Sequence, residues 1–121
     1  MANRILIFDD DIDILSICSY ILSEQGWEVF TSENCNDIVK RVRDIAPNVI
    51  LMDNWIPDTG GIVATRALKN EADLKQIPVV YFSANNDIHT LAQQAGADTF
   101  LPKPFDIQEL ESKINSVLVH D

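Results

Sequence analysis

Apolar and polar residues alternate in blocks along the chain, and these blocks predict five short strands and five helices. Short apolar runs bounded by turn residues are typical of strands buried in a parallel sheet. They occur at residues 5–8, 27–31, 49–52, 79–82 and 98–101. In the second run Val29 has more polar neighbours than the apolar residues of the other runs, which indicates a strand at the edge of the sheet.

Between these runs, apolar residues recur at helical spacing, and each stripe predicts a helix with one face in the core. The stripes consist of Ile14, Leu15, Cys18, Ile21 and Leu22; Ile38, Val39, Val42, Ile45 and Ala46; Ile62, Thr65 and Leu68; Ile88, Leu91, Ala92 and Ala95; and Ile107, Leu110, Ile114, Val117 and Leu118.

Turn and capping residues set the expected helix ends. Glycines and a proline end three helices: Gly26 the first, Pro47 the second and Gly96 the fourth. The helix beginnings come from side chains that accept hydrogen bonds from the first turn. The expected starts are Asn34 or Asn36 for the second helix, residue 61 for the third, Asn86 or Asp87 for the fourth and Asp106 for the fifth.

Strand and helix alternate five times, which predicts an α/β fold: a parallel sheet between two layers of helices. Right-handed crossovers leave few topologies. The chain has no Gly-x-Gly-x-x-Gly turn. This favours the flavodoxin-like strand order 2-1-3-4-5 over a dinucleotide-binding fold. We expect residues 1–121 to form a single domain, because that length can bury a substantial core.

Charge and cysteine content narrow the possible functions. The net charge is −10, which argues against direct nucleic-acid binding because phosphate backbones require Lys and Arg. Cys18 and Cys35 are the only cysteines, and we expect free thiols in a reducing cytoplasm. The apolar run at residues 5–8 is too short for a signal peptide or a membrane span.

Polar residues follow four of the five predicted strands. Residues 9–11 are three aspartates after the first strand; Asp53 follows the third, Ser83 the fourth and Lys103 the fifth. Because the carboxyl ends of parallel strands meet at one edge of a sheet, these side chains should converge there. Each has an ordinary alternative: a helix or turn cap for the aspartates and Ser83, and a solvated surface charge for Lys103.

Together these groups predict phosphoryl chemistry. Neighbouring carboxylates repel one another, and a divalent cation removes the conflict. Oxygen ligands suit Mg²⁺. A carboxylate beside Mg²⁺ can attack phosphorus, and Asp53 is the carboxylate on the central strand. The Lys103 ammonium and the Ser83 hydroxyl can bind phosphoryl oxygens.

Other roles for nearby residues carry less weight. Asp9 and Asp11 have the Asp-x-Asp spacing of aspartate-nucleophile phosphatases, but the chain lacks the cap domain of such enzymes. A calcium loop beginning at Asp9 fails because its sixth residue is Ile14 and its twelfth is Tyr20. We expect no chemistry from His89 or His120, and Trp55 is either a loop anchor or a lid.

The chain resembles the receiver domain of bacterial two-component response regulators over residues 4–118. The resemblance rests on several motifs together: Ile-Leu-Ile-Phe-Asp-Asp-Asp at 5–11, Leu-Met-Asp at 51–53 with Pro57 and Gly61 beyond it, Ser-Ala at 83–84, Gly-Ala-Asp at 96–98, and Phe-Leu-Pro-Lys-Pro-Phe at 100–105.

The resemblance implies a magnesium and phosphate site. Asp53 matches the phospho-acceptor, which also contacts the metal. Asp10 matches the acidic residue that binds Mg²⁺ directly, and Asp9 matches the one that acts through water. The backbone carbonyl of Trp55 matches the third protein ligand, and Lys103 matches the phosphate-binding lysine.

It also implies a conformational switch. Ser83 matches the switch hydroxyl and Phe100 the switch aromatic, although the family often has Thr and Tyr there. The Lys103–Pro104 bond matches a position that is usually cis. The substitutions at these positions retain the groups that phosphotransfer requires. They leave open the lifetime of the phosphoryl group and the identity of the partner.

The implied function is a phosphorylation switch rather than an enzyme. A sensor histidine kinase or a phosphotransfer protein would phosphorylate Asp53. The surface of the fourth helix, fifth strand and fifth helix would then change, for homodimer or effector binding. No membrane partner is expected. The alternative is a phosphorylation-independent interaction or dimerisation module. We expect a stand-alone or excised receiver; the sequence identifies neither kinase nor target.

Overall fold

A computed structural model describes residues 3–118 of the chain. Five strands alternate with five helices, as the sequence pattern predicts. The strands are β1 (Arg4–Phe8), β2 (Glu28–Ser32), β3 (Val49–Asp53), β4 (Val79–Ser83) and β5 (Thr99–Pro102). The helices are α1 (Ile12–Glu24), α2 (Ile38–Ile45), α3 (Gly61–Lys69), α4 (Ile88–Ala95) and α5 (Ile107–Leu118).

The sheet is fully parallel, with the strand order β2-β1-β3-β4-β5. The expected flavodoxin-like order and the edge position of the second strand are therefore confirmed. β3 is the middle strand, and all five of its residues are buried. The register pairs Asp53 with Phe82, so β3 and β4 end side by side at the carboxyl edge of the sheet.

Two apolar layers cover the faces of the sheet. Successive strand residues point to opposite faces, so residues of odd and even position pack into different clusters. On one face, Ile7, Leu51 and Phe82 pack with side chains from α1 and α5. On the other, Met52 and Tyr81 pack with side chains from α2, α3 and α4. This is the three-layer arrangement that the alternating pattern predicts.

The beginning of α2 differs from the sequence prediction, whereas its end directly before Pro47 agrees with it. Neither Asn34 nor Asn36 caps this helix; the N-cap is Asp37, in a left-handed conformation and without a side-chain cap bond. Asn34 instead accepts the N–H of Asn36 in a local turn. Ala46, predicted within the apolar stripe, is the left-handed C-cap and is exposed. Short polar side chains often form such turns, which compete with a helix cap.

The other helix beginnings have different causes. Asp11 caps α1 and accepts the N–H groups of Asp13 and Ile14. Asp106 and Glu109 exchange hydrogen bonds at the start of α5, in the reciprocal arrangement of a capping box. Asp87 lies at the N-cap of α4, one of the two predicted positions, without a side-chain cap bond.

Both cysteines are buried, free thiols. Cys18 lies on α1 and Cys35 precedes α2, in different apolar clusters on opposite faces of the sheet. Burial raises the pKa of Cys18 to about 11 and that of Cys35 to about 12. Both side chains therefore act as small apolar groups of the core.

Candidate phosphoacceptor site at the carboxyl edge of the sheet

The ammonium group of Lys103 joins two buried carboxylates at the carboxyl edge of the sheet. Its Nζ lies 2.8 Å from Asp9 Oδ2 and 2.8 Å from Asp53 Oδ1. Asp9 is 0% and Asp53 4% exposed. The strand ends bring the three together, because Asp9 follows β1, Asp53 ends β3 and Lys103 follows β5. The convergence predicted from the sequence is present for these three residues.

Asp10 completes the cluster from its exposed side. One carboxylate oxygen from each of Asp9, Asp10 and Asp53 lies within 4.8 Å of the others. Asp10 is exposed, whereas Asp9 and Asp53 are buried. We refer to Asp9, Asp10, Asp53 and Lys103 as the carboxylate pocket. Asp11, the last aspartate of the run, is instead the cap of α1.

Burial dominates the electrostatics of the pocket. It raises the pKa of Asp9 above the ordinary value, although the hydrogen bond from Lys103 opposes this. The pKa of Asp53 is raised for the same reason, and the charge of Asp9 adds to the effect. Burial lowers the pKa of Lys103, but its bonds to Asp53 and Asp9 outweigh burial and the net pKa is raised. One ammonium thus faces a cluster with an excess of negative charge.

Lys103 is held in place by contacts along its length. Its backbone N–H donates to the carbonyl of Ser83, at 2.9 Å. Its ammonium lies 4.6 Å from the centre of the Phe82 ring, a distance suited to a cation–π contact. The Lys103–Pro104 peptide bond is cis, as the resemblance to receiver domains implied. The position of the ammonium is therefore fixed by β4 as well as by the carboxylates.

The loop after β3 begins on Asp53 itself. Asp53 Oδ2 accepts the backbone N–H of Trp55, at 2.9 Å. The Trp55 side chain is 75% exposed and lines an open groove of about 660 Å³ with Pro57, Val63 and Leu91, among other residues. The indole therefore does not anchor the loop in the core, and its role as a lid stays a prediction.

Ser83 lies at the end of β4, one residue beyond the strand partner of Asp53. It is 6% exposed, and its Oγ accepts the N–H of Asn85 at 3.0 Å. Phe100 lies on the neighbouring strand β5, paired with Tyr81, and is half-buried. The two predicted switch residues are thus on adjacent strands, Ser83 at the edge and Phe100 further back.

Two contacts of Phe100 were not anticipated from the sequence. The His89 ring of α4 packs against it with 5.3 Å between centroids, and Lys113 Nζ of α5 lies 5.3 Å from the ring centre. His89 is predicted to have no chemical role, and it serves here as a packing partner. No signal in the sequence indicates this contact, because it depends on the rotation of α4 over β5.

Tyr81 is a further residue of the site that sequence reasoning missed. It is fully buried, and its hydroxyl donates to the side-chain carbonyl of Asn54. Burial and the charge of Asp53 raise the pKa of this phenol, so it remains a protonated donor. A tyrosine within an otherwise apolar run was the available signal, because a buried phenol usually requires a partner.

The fold and the carboxylate pocket together indicate the class of protein to which the chain belongs. A parallel five-stranded α/β protein of flavodoxin-like topology carries acidic groups and one lysine at the carboxyl ends of its strands. The family model described as response regulator receiver domain matches residues 5–115. The chain therefore belongs to the response regulator receiver domain family, which consists of signalling modules of two-component systems.

Two curated relatives illustrate the range of proteins that contain a similar segment. The chain is 30% identical to the phosphate regulon transcriptional regulatory protein PhoB of Escherichia coli over 120 residues, 98% of this chain and 52% of PhoB. It is 33% identical to the CAI-1 autoinducer sensor kinase/phosphatase CqsS of Vibrio cholerae over 115 residues, 93% of this chain and 17% of CqsS. The chain thus spans about half of PhoB and a smaller part of CqsS.

A solved structure supports the same fold. The receiver domain of a sensor histidine kinase from Pseudomonas aeruginosa matches 99% of this chain and all of its own length, with a TM-score of 0.90 and 23% identity. That crystal structure has a magnesium ion coordinated in its active-site cleft.

In residues 3–118 of the present chain, no helix has the length and apolar character needed to cross a membrane.

Proposed function

We propose that the chain is a phosphoacceptor receiver domain. Asp53 would accept a phosphoryl group from a phosphohistidine of a sensor histidine kinase or of a phosphotransfer protein. One oxygen of Asp53 attacks phosphorus and forms an acyl phosphate; the phosphorus–nitrogen bond breaks, and its electron pair leaves with the imidazole of the donor histidine. The observation that carries the proposal is the position of Lys103, bonded at 2.8 Å to both Asp53 and Asp9 at the end of the central strands.

The pocket suits a small divalent cation. Its oxygen donors include three carboxylates with atoms within 4.8 Å of one another, and a single lysine does not neutralise them. Asp10, Asp53 and the carbonyl of Trp55 would hold Mg²⁺ directly, and Asp9 would act through water. When bound, Mg²⁺ supplies charge neutralisation for the phosphoryl oxygens. The magnesium ion in the related Pseudomonas aeruginosa receiver domain supports this choice of metal.

Lys103 and Ser83 would bind the phosphoryl oxygens after Asp53 is phosphorylated. Lys103 already donates to Asp53, so only a small movement is required for it to donate to a phosphoryl oxygen on that carboxylate. The Ser83 hydroxyl accepts a hydrogen bond from Asn85 in the present state, and its own proton remains available to donate. Such charge-assisted bonds would exist only in the phosphorylated state, so they favour that state's conformation.

The response would appear on the α4–β5–α5 face. A shift of Ser83 toward the phosphoryl group would open space, and Phe100 would move from its contacts with His89 and Lys113 into it. These contacts lie between α4, β5 and α5. A change there alters the surface available to a second copy or to an effector. With a kinase donor of this kind, the chemistry would take place in the cytoplasm.

The deciding experiment is phosphorylation by radiolabelled acetyl phosphate with Mg²⁺. Wild-type protein should take up label, and Asp53→Asn should take up none. Asp58→Asn is the matched control, because Asp58 is an exposed carboxylate in the same loop with a left-handed backbone that Asn tolerates. Normal uptake by Asp53→Asn would contradict the assignment of the acceptor. A fully folded wild type that takes up no label and shows no response to Mg²⁺ or beryllofluoride would instead support the phosphorylation-independent module.

A further inference from the structure

Asn54, the residue after Asp53, is fixed at three points. Its backbone N–H donates to the carbonyl of Phe82 at 3.1 Å, and its backbone carbonyl accepts the N–H of Gly61 at 3.0 Å. Its side-chain carbonyl accepts the hydroxyl of Tyr81. The first two bonds connect the loop to β4 and to the start of α3. The third is a side-chain bond from the buried core to the loop.

The region around the Tyr81 hydroxyl is closely packed. A Cβ added at Gly61 would lie 2.8 Å from this hydroxyl and 2.3 Å from the backbone carbonyl of Asp53. Only glycine permits the two chain segments to approach this closely. The hydroxyl, the start of α3 and the main chain of Asp53 therefore form one compact junction at the base of the loop.

The loop carries a backbone group whose direction is critical for the proposed metal site. The carbonyl of Trp55 is a proposed metal ligand, but the Trp55 side chain is 75% exposed. The Trp55 N–H bond to Asp53 fixes one side of this residue. That N–H shares a peptide group with the Asn54 carbonyl, and the Trp55 carbonyl belongs to the next peptide group. The direction of the Trp55 carbonyl therefore depends on how Asn54 is held.

We propose that Tyr81 is a positioning residue for the cation site: its hydroxyl, acting through Asn54, orients the loop that presents the Trp55 carbonyl. This inference rests on the proposed function, because it requires the carbonyl to be a ligand. Groups that hold a metal ligand in place contribute to metal affinity without touching the metal. Tyr81 is suited to this role because its ring is packed in the core and its hydroxyl reaches the loop.

The test is calorimetric titration of Mg²⁺ into the wild type and two variants. Tyr81→Phe removes the hydroxyl and keeps the ring, and should weaken Mg²⁺ binding roughly tenfold, the lower end of the range for loss of an outer-shell partner. Asn54→Leu keeps the shape of the side chain and removes the acceptor, with the same expected loss. The double variant should lose no more than either single variant, because both changes remove one bond.

Phosphorylation kinetics distinguish positioning from a general structural role. With acetyl phosphate, Tyr81→Phe should require about tenfold more Mg²⁺ for half-maximal rate, while the rate at saturating Mg²⁺ stays within about twofold. Tyr20→Phe is the matched control, because Tyr20 is 70% exposed on α1. It should bind Mg²⁺ as the wild type does.

Two results would overturn the inference while the proposed function stands. One is a wild type that binds Mg²⁺ and is phosphorylated, together with folded Tyr81→Phe and Asn54→Leu variants of unchanged affinity. The other is additive losses in the double variant, which would mean that the two residues act separately. If the wild type itself neither binds Mg²⁺ nor takes up label, the proposed function fails and this inference fails with it.

Discussion

The carboxylate pocket and the α4–β5–α5 face are built from different interactions. In the pocket, Asp9 and Asp53 are buried and share one ammonium through bonds of 2.8 Å. On the α4–β5–α5 face, Phe100 is half-buried and packs against His89 and Lys113 through ring contacts at 5.3 Å. Strong charged bonds hold the first region, and weaker, partly solvated contacts hold the second.

This difference indicates how a signal could pass between the two regions. A pocket with its charges already assembled requires little rearrangement when its ligands arrive. A face held by weak contacts can change conformation at low cost. Ser83 is connected to both, because its carbonyl accepts the N–H of Lys103 and its hydroxyl faces the turn before α4. The proposed chemistry therefore acts on the region of the molecule that is easiest to move.

The largest effect is expected when the carboxylate pocket loses the ammonium group of Lys103. Lys103→Met leaves two buried carboxylates without their partner, and we expect a loss of about 3–5 kcal/mol in the free energy of unfolding near neutral pH. Without Lys103 the pKa values of Asp9 and Asp53 rise further, because the bonds that oppose burial are gone. The measurement is urea unfolding of both proteins from about pH 8 to about pH 5.

The sign of the pH dependence follows from these raised pKa values. A carboxyl group whose pKa is raised in the folded state stabilises that state most when it is protonated. This is the case at a pH below its pKa in the unfolded chain, which is about 4. Stability is lost as pH rises through the folded pKa. The difference between wild type and Lys103→Met should thus narrow on acidification. Lys75→Met, at an exposed lysine, is the control; an equal loss there would show that the pocket charges are not the cause.

A smaller effect should come from supplying the pocket with a cation. Mg²⁺ at about a hundred times its dissociation constant should stabilise the wild type by about 2.7 kcal/mol. Asp10→Asn should abolish most of this gain, and Asp13→Asn should retain it, because Asp13 is an exposed acid in the first turn of α1. Thermal denaturation with and without Mg²⁺ gives the comparison. Equal losses in the two variants would mean that general negative charge, not the pocket, binds the ion.

The exposed indole of Trp55, two residues after Asp53, should affect the lifetime of the phosphoryl group rather than stability. Trp55→Asn removes a large side chain that would hinder water at the acyl phosphate, and we expect dephosphorylation to accelerate about fivefold, or about 1 kcal/mol of barrier. The half-life of labelled protein is the measurement. Val63→Asn, at another exposed apolar residue of the same groove, should leave the half-life unchanged. If Trp55→Asn also leaves it unchanged, the shielding hypothesis is wrong.

The smallest effect on stability is expected where the two regions meet. Ser83→Ala loses one hydrogen bond from Asn85 and should change the free energy of unfolding by only about 0.5–1.5 kcal/mol. The same variant should lose most of the chemical-shift change that beryllofluoride causes at Phe100 and along α4. Ser112→Ala, an exposed serine of α5, should retain it. A full chemical-shift response to beryllofluoride in Ser83→Ala would mean that Ser83 does not connect the carboxylate pocket to the α4–β5–α5 face.

The strand order and the pocket could be predicted from the sequence because both follow from simple rules. Apolar runs and helical stripes give the alternation, and parallel strands end at the same edge. Asp53 and Lys103 are distant in sequence, yet the end of β3 and the end of β5 must face the same side. Only the family resemblance distinguished Asp10 from Asp11, and the structure assigns Asp11 to the cap of α1.

The parts that sequence missed depend on contacts between side chains of different elements. The contact of Tyr81 with Asn54 requires the register of β3 against β4 and the path of the following loop. The packing of His89 on Phe100 requires the rotation of α4 over β5. The N-cap prediction for α2 was wrong for a different reason, because Asn34 uses its side chain within a turn and Asp37 is at the helix start.

The two buried thiols make the chain convenient for site-directed labelling. At neutral pH a maleimide reacts with thiolate, and the raised pKa values of Cys18 and Cys35 leave very little of it. A cysteine introduced on the surface would therefore react with a fluorophore while both native residues stay unmodified. Reaction at the native thiols would in turn report unfolding that exposes the core.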